Sequence, residues 1–483
     1  MALGAPTLWT DIRIRKYYAE GAREAPRIYL ERSKTCPIFL TWFSNPEQSH
    51  ADVQGVVDDL IVPGAERWQR ITLLSGDSPA ADVLLTAMEF LDFPILQDVE
   101  ISYMCMVELS PPKPTFCRNA PLLHRYRFRA VPALYPPLPS NLVILDYMDS
   151  VFGLGEFDLD PLLEFLPHVA HSLEHLRFGP PLASKVRLTP RTSRIPLEHL
   201  KSLLVKDSHV IMDHIFTPNL TYFAAFHPLA ADAKDPAKMF QGFSAPMLRS
   251  IQFRGIPLLP ILNTHNIPSM FPQLESVILS DCTNESAFAL MLEPPAPKKP
   301  SSLQKASKYP SKHRKVQHPF PNLKELAISD MTSWTSFQAA IEKRLKNGDK
   351  SLKKIRLPKD EAAETIMSHL RRWLPAQGIE LVLYGPGELL RSTPEFQDDF
   401  CDEETQFFLE IMSQSEWGED DEEYDDYDYW EERDMFPPDY ELPAHLDPNL
   451  YWNEFYDGYD DEEDDEEDDE GEDGDEEDDF YEG

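Results

Sequence analysis

The sequence predicts an α/β fold: a curved solenoid of leucine-rich-repeat type with one short parallel strand per repeat. Three observations predict it. A short motif recurs along the chain, its copies are evenly spaced, and the segments between copies carry helical periodicity. The motif is a leucine, often preceded by a proline, with apolar residues three and five positions later. It is clearest in FPILQDVEIS (93–102), APMLRSIQFRG (245–255), FPQLESVILSD (272–282) and FPNLKELAISD (320–330).

The leading residues are Trp68, Leu96, Leu123, Leu142, Leu173, Leu200, Leu220, Leu248, Leu274, Leu323 and Leu352. Apart from the step of 49 between Leu274 and Leu323, the spacings average about 26 residues, inside the range of leucine-rich repeats. The long step contains residues 294–319, a segment rich in proline, lysine and serine, whose removal restores the common length.

In L-x-x-L-x-L the last two apolar residues point inward from a short strand, and the first packs under the turn that leads into it. The return segments read as helices. In 79–92, Val83, Leu84, Ala87, Met88 and Leu91 share one face, and 336–348 repeats the idea and ends on Gly348, a good residue for a helix C-terminus. With 44 prolines among 483 residues, the elements are expected to be short and often interrupted.

The net charge of −39 is concentrated at one end. Residues 416–483 hold 36 acidic residues against Arg433 alone, which leaves −4 for everything before them. That tail is expected to be disordered, because its like charges repel and it has little to bury. Its first part, 424–459, interleaves acids with Tyr427, Trp430, Phe436, Tyr440, Tyr451, Trp452 and Phe455, while 460–479 is almost wholly Asp and Glu.

The five cysteines form neither a CxxC pair nor a ligand-like cluster, and no apolar run approaches the length of a membrane span. A reducing compartment, cytoplasm or nucleus, is expected, with no membrane partner. Nucleophile-elbow, P-loop, HExxH and dinucleotide motifs are absent from the sequence, so it predicts no enzyme, no cofactor and no direct nucleic-acid contact. His168, His171 and His175 come nearest to a metal set, but His175 falls where the next strand begins, and no metal is expected.

PTLWTDIRI (6–14), YLERSKTCPIFLTWF (29–43) and ERWQRITLL (66–74) resemble the segment just after the F-box in the large F-box/leucine-rich-repeat family of fungi. In that family a Pro-x-Leu-Trp turn closes the F-box, a helix ending in apolar-x-Arg-Ser precedes a first strand, and a tryptophan-led strand opens the repeats. Here those roles fall on Pro6, Leu8 and Trp9, on Leu30, Arg32 and Ser33, and on Trp68. The resemblance implies a substrate receptor of a ubiquitin ligase, reached through a Skp-type adaptor and a cullin. The helices that grip the adaptor would lie ahead of Pro6 and are not in this sequence.

The expected organisation is therefore an F-box remnant and cap over 1–66, the solenoid over 67–392 with its basic insertion 294–319, and a C-terminal extension over 393–483. Side chains flanking the inward strand residues should face the concave side. These are Asp98, Glu100, Arg125, Arg127, Arg129, Asp146, His175, Arg177, Tyr222, Arg254, Lys354 and Arg356. Centred on the arginine triplet, Arg125, Arg127, Arg129, Arg177, Tyr222, Arg254 and Arg356 read as a docking strip for an acidic segment of a protein partner.

In the insertion, Lys298 and Lys299 followed by Lys312, Arg314 and Lys315 have the form of a bipartite nuclear-import signal. A second function class stays open: a nuclear scaffold or chaperone whose acidic tail holds basic proteins such as histones. The missing helices predict that this chain binds no Skp-type adaptor tightly. Titration calorimetry with purified adaptor should show no submicromolar association, and tight binding would place the adaptor element elsewhere in the chain.

Overall fold

A computed structural model describes residues 5–14, 24–44, 50–75, 78–103, 117–129, 141–148, 156–179, 185–187, 189, 193–207, 210–228, 239–241, 243–256, 261, 267–280, 320–329, 334–359 and 364–384. The basic insertion 294–319 and the whole extension 393–483 lie outside the described residues. The chain divides after Thr405 into two units, and every described residue belongs to the first.

The first unit is α/β, built on one large parallel sheet. Its strands are β1 (Asp11–Ile14), β2 (Ile38–Ser44), β3 (Trp68–Ser75), β4 (Asp98–Tyr103), β5 (Arg125–Arg129), β6 (Ile144–Met148), β8 (His175–Gly179), β11 (Ser202–Asp207), β13 (Tyr222–Pro228), β14 (Ser250–Arg254), β15 (Ser276–Ser280), β16 (Glu325–Ile328), β17 (Lys354–Pro358) and β18 (Glu380–Tyr384). These 14 strands lie side by side in chain order. Four shorter strands sit in the connections. Of these, β7 (Glu156–Asp158) pairs with β9 (Lys185–Arg187), and β10 (Ile195–Pro196) pairs with β12 (Ile215–Phe216).

Hydrogen-bonded register follows the motif spacing at every step. Arg70 pairs with Asp98, Asp98 with Arg125, Arg125 with Ile144, and so on to Glu325 with Lys354. Each of these offsets equals the interval between the corresponding leading residues, including the long one, where Ser276 meets Glu325. The eleven leaders therefore form one row, and all are between 0% and 2% exposed.

The turn before each strand explains the prolines. The amide of Leu96 donates to the carbonyl of Phe93, Leu248 to Ala245, Leu274 to Phe271 and Leu323 to Phe320, so each leader closes a four-residue turn. Pro94, Pro246, Pro272 and Pro321 occupy the second position of these turns, where a fixed φ near −65° is already the one required. Trp68 fills the larger first slot, with its indole donating to the Ile61 carbonyl at 3.1 Å. Gly64 makes that slot possible, because a Cβ there would stand 2.8 Å from the indole ring.

Behind the sheet, inward residues run as two apolar rows. One passes through Ile71, Val99, Tyr126, Leu145, Leu176, Leu203, Phe223, Ile251, Val277, Leu326 and Ile355. The other passes through Leu73, Ile101, Phe128, Tyr147, Phe178, Val205, Ala225, Phe253, Leu279, Ile328 and Leu357, and both belong to a single continuous core. Cys117 is packed there too, and burial pushes its thiol up to about 12. The helix Ser78–Met88 buries Leu84, Leu85 and Met88 against this core, and Trp334–Lys346 buries Phe337, Ala340 and Ile341. Gly348, at φ +85°, ends the second helix as its sequence predicts.

Three main-sheet strands have no leader in the motif series. β1 and β2 extend the array before Trp68, with Pro6–Trp9 forming a 3-10 turn ahead of β1 and the helix Glu24–Arg32 between the strands. β18 extends it at the far end, where Gly378, at φ +77°, stands in register with Leu352.

The return from the long segment is anchored by a buried ion pair. Arg344, 1% exposed, donates to the Phe320 carbonyl at 2.7 Å and lies 2.7 Å from Asp349. Phe320 is itself in the left-handed region at φ +40°, an uncommon place for a residue with a side chain, and the guanidinium holds its carbonyl there. Burial lowers the Arg344 pKa, and Asp349 opposes that shift. Arg344→Met should leave the Asp349 carboxylate buried without its cation and cost about 3–5 kcal/mol, read by urea unfolding. The double variant Arg344→Met/Asp349→Leu should recover much of that loss.

Candidate protein-binding face

Alternation along each strand sends the remaining residues to the other face of the sheet, and parallel register aligns them into rows. The first outward row is Arg70, Asp98, Arg125, Ile144, His175, Ser202, Tyr222, Ser250, Ser276, Glu325, Lys354 and Glu380. The second is Thr72, Glu100, Arg127, Asp146, Arg177, Leu204, Ala224, Gln252, Ile278, Ala327, Arg356 and Val382.

The residues expected on a common face do share it. Arg125, Arg127, Arg177, Tyr222, Arg254 and Arg356 all stand at outward positions of consecutive or nearby strands. Arg129 is the last residue of β5, in register between Ser102 and Met148, and its side chain lies outside the described residues.

The arginines of β5 do not form a uniformly positive strip, because acids stand on the strands to either side. Asp98 lies between Arg70 at 3.4 Å and Arg125 at 3.6 Å, Glu100 lies 3.6 Å from Arg127, and Asp146 lies 3.2 Å from Arg177. Arg127 and Arg177 are buried among these partners at 5% and 8% exposure. Sign alternates strand by strand from β3 to β8, so the cations at the centre of the expected strip are largely neutralised within the sheet.

From β11 onward the outward face changes character. Leu204, Tyr222 and Ala224 form an apolar cluster, with Phe226 packed against it. A second cluster joins Ile278, Ala327 and Tyr384. The small side chains of Ala224 and Ala327 leave room beside them for tyrosine rings. Tyr222 donates to Gln252 Oε1 at 2.6 Å, and Tyr384 donates to the Ile328 carbonyl at 2.7 Å. Lys354 and Arg356 share one carboxylate, Glu325, at 3.4 and 3.9 Å, and Arg356 lies over the Tyr384 ring at 5.7 Å.

Apart from Tyr222, which was expected on the face, these apolar outward residues, with Gln252 and Glu325, were not among the expected site residues. In PNLTYFAAF an apolar outward set beside an apolar inward set hides the alternation, and only alignment of the register separates the two.

The histidines do not gather. His168 is exposed in the last turn of the helix Asp160–Val169, His171 is exposed beyond it, and His175 is buried as the first residue of β8. Among the described residues, no cluster of three or more His, Cys, Asp or Glu has the geometry to hold a metal, and no helix is long and apolar enough to cross a membrane. The import-signal residues Lys298, Lys299, Lys312, Arg314 and Lys315 lie outside the described residues. No family model matches the chain, and no curated protein matches it.

The ion pairs of the second row carry a prediction of their own. Asp146→Asn removes the carboxylate beside buried Arg177 and should destabilise the chain by roughly 3 kcal/mol in urea unfolding. The double variant Asp146→Asn/Arg177→Met should restore much of the loss, and full additivity of the effects of Asp146→Asn and Arg177→Met alone would show that the pair is not coupled.

Proposed function

We propose that this chain is a non-enzymatic protein-binding scaffold, a leucine-rich-repeat solenoid that recruits a protein partner through the outward face of its strand ladder. The observation that carries this reading is the outward face itself. It runs unbroken across parallel strands held in one register, and it places charged, apolar and hydrogen-bonding side chains in rows that a partner segment can cross. A sheet of this kind holds many side chains at fixed mutual spacing, which suits recognition of an extended partner surface.

The substrate-receptor role in a ubiquitin ligase rests on the resemblance of Pro6–Trp9, Leu30–Ser33 and Trp68 to the F-box/leucine-rich-repeat family. The repeat-like parallel sheet is compatible with it.

Photo-cross-linking side chains introduced singly at Ser250 and Ser276, both half-buried on the outward face, test the reading against one at Lys346, on the exposed side of a return helix. In cell extract the two face positions should trap the same protein while Lys346 does not, and the purified partner should reproduce the contact. Equal trapping from all three positions would sink the assignment of the face.

A further inference from the structure

We infer that the β18 edge of the main sheet is a self-association surface, at which two copies of this chain pair antiparallel through Leu381, Val382 and Leu383 and join their sheets into one. This goes beyond the scaffold reading and does not depend on it.

The two ends of the sheet are built differently. At the β1 end the core is closed, since the inward Ile12 and Ile14 are 2% and 3% exposed. The outward Asp11 and Arg13 form an exposed ion pair along the same strand, and charged side chains of this kind protect an edge from further pairing. At the β18 end the core stays open. The two inward rows from β3 to β17 are 0% to 5% exposed, whereas Leu381 and Leu383, which continue them, are half-buried. So is Trp373, on the helix Glu364–Ala376 that leads into β18.

The backbone of β18 has one side used and one side open. The Glu380 amide donates to the Lys353 carbonyl at 2.8 Å, and the Tyr384 carbonyl accepts from the Lys359 amide at 2.9 Å. Glu380, Val382 and Tyr384 therefore turn their peptide groups toward β17, and Leu381 and Leu383 turn theirs the other way. Among the described residues no strand lies on that side. Two N–H and two C=O groups thus stand along an apolar edge, and such groups are costly to bury unpaired.

Two-fold symmetry fits this edge to itself. About an axis through Val382, perpendicular to the sheet, Leu381 falls opposite Leu383 of the second copy and Leu383 opposite Leu381 of the second copy, both as hydrogen-bonded pairs. All four edge groups of each copy then find partners. The four leucines meet on the inward side, where they carry the core across the axis. On the outward side Val382 meets its own counterpart and Glu380 meets Tyr384, so no acid faces an acid.

Other strands fit less well. In 385–405, GPGELLRSTPEFQDDFCDEET, no leucine has apolar residues three and five positions later, and seven acids stand against Arg391, so this stretch has little to lay along an apolar edge. The β1 edge of a second copy is closed and charged, and pairing with it would build an open fibre instead of a closed dimer.

The test is sedimentation velocity of the full chain. The contact is small, so a dimer with a Kd on the order of 10 µM is expected. The dimer fraction should rise with protein concentration, and rise further as added salt screens the repulsion between the acidic tails. Val382→Lys sets two ammonium groups opposite one another at the axis and should weaken association at least about tenfold. Val382→Thr and the far-edge variant Asp11→Asn should leave it within about twofold, and thermal melts should verify that each variant is folded. Hydrogen exchange at the Leu381 and Leu383 amides should be slow at high protein concentration and fast on dilution.

A chain that stays monomeric at about 200 µM would overturn the proposal, as would a dimer indifferent to Val382→Lys. In such a monomer, slow exchange at these amides would show the edge covered within one chain, and fast exchange would leave it to a strand of another protein. None of these outcomes bears on the trapping from Ser250 and Ser276, so the scaffold reading stands or falls separately.

Discussion

The structure depends on one local constraint: the burial of a single large apolar residue at the start of each main-sheet strand from β3 to β17. The turn places a leucine or tryptophan beneath the start of the sheet, where it is at most 2% exposed. Removing a leucine-sized side chain from such a position costs about 2–5 kcal/mol, so the chain cannot slide past it cheaply. With the leader seated, the strand that follows has one register available, since a one-residue slip would turn its inward apolar pair out to solvent. Parallel pairing then repeats the same choice on the next strand. The sheet is in this sense a chain of nearest-neighbour decisions, each made by one turn.

That arrangement divides the labour between the two faces. Inward positions are filled by Val, Ile, Leu, Phe and Tyr, and once by Ala225, with little freedom, because each touches the same position in the repeats before and after. Outward positions answer only to their lateral neighbours, and two solutions occur along this sheet. From β3 to β8 opposite charges on adjacent strands neutralise one another. From β11 onward apolar side chains lie under tyrosines, with cations around them. The first solution costs desolvation at Arg127, Asp146 and Arg177 and returns ion pairs, with little net gain in stability expected. The second leaves the Gln252 Nε2 donor buried with no acceptor among the described residues.

The division also accounts for what could be read from the sequence. Wherever a leader of the expected type precedes two alternating apolar residues, the strand and its register are legible, which is why the offset between Leu274 and Leu323 emerges despite the inserted segment. Where the leader slot holds something else, the strand escapes the pattern. Gly378 occupies it ahead of β18, because the preceding helix needs a residue at positive φ to end. β1 and β2 precede the first leader and show only as part of a family resemblance. The short pairs β7–β9 and β10–β12 have too few residues for any period to register.

The same limit governs the face. Charged outward residues are conspicuous between apolar neighbours, so Arg125, Arg127, Arg177, Arg254 and Arg356 are all found by alternation. Their acids are visible too, but sequence order cannot say that Asp98 falls between Arg70 and Arg125, since those contacts join residues 27 and 28 apart. A cluster of arginines on one strand therefore reads as an excess of charge when its neutralising partners sit one repeat away. Conversely, Lys206 and Arg254 look unremarkable in their own segments, and become a pair only because Phe226 stands between them in register. In a parallel array, charge has to be counted across strands and not along them.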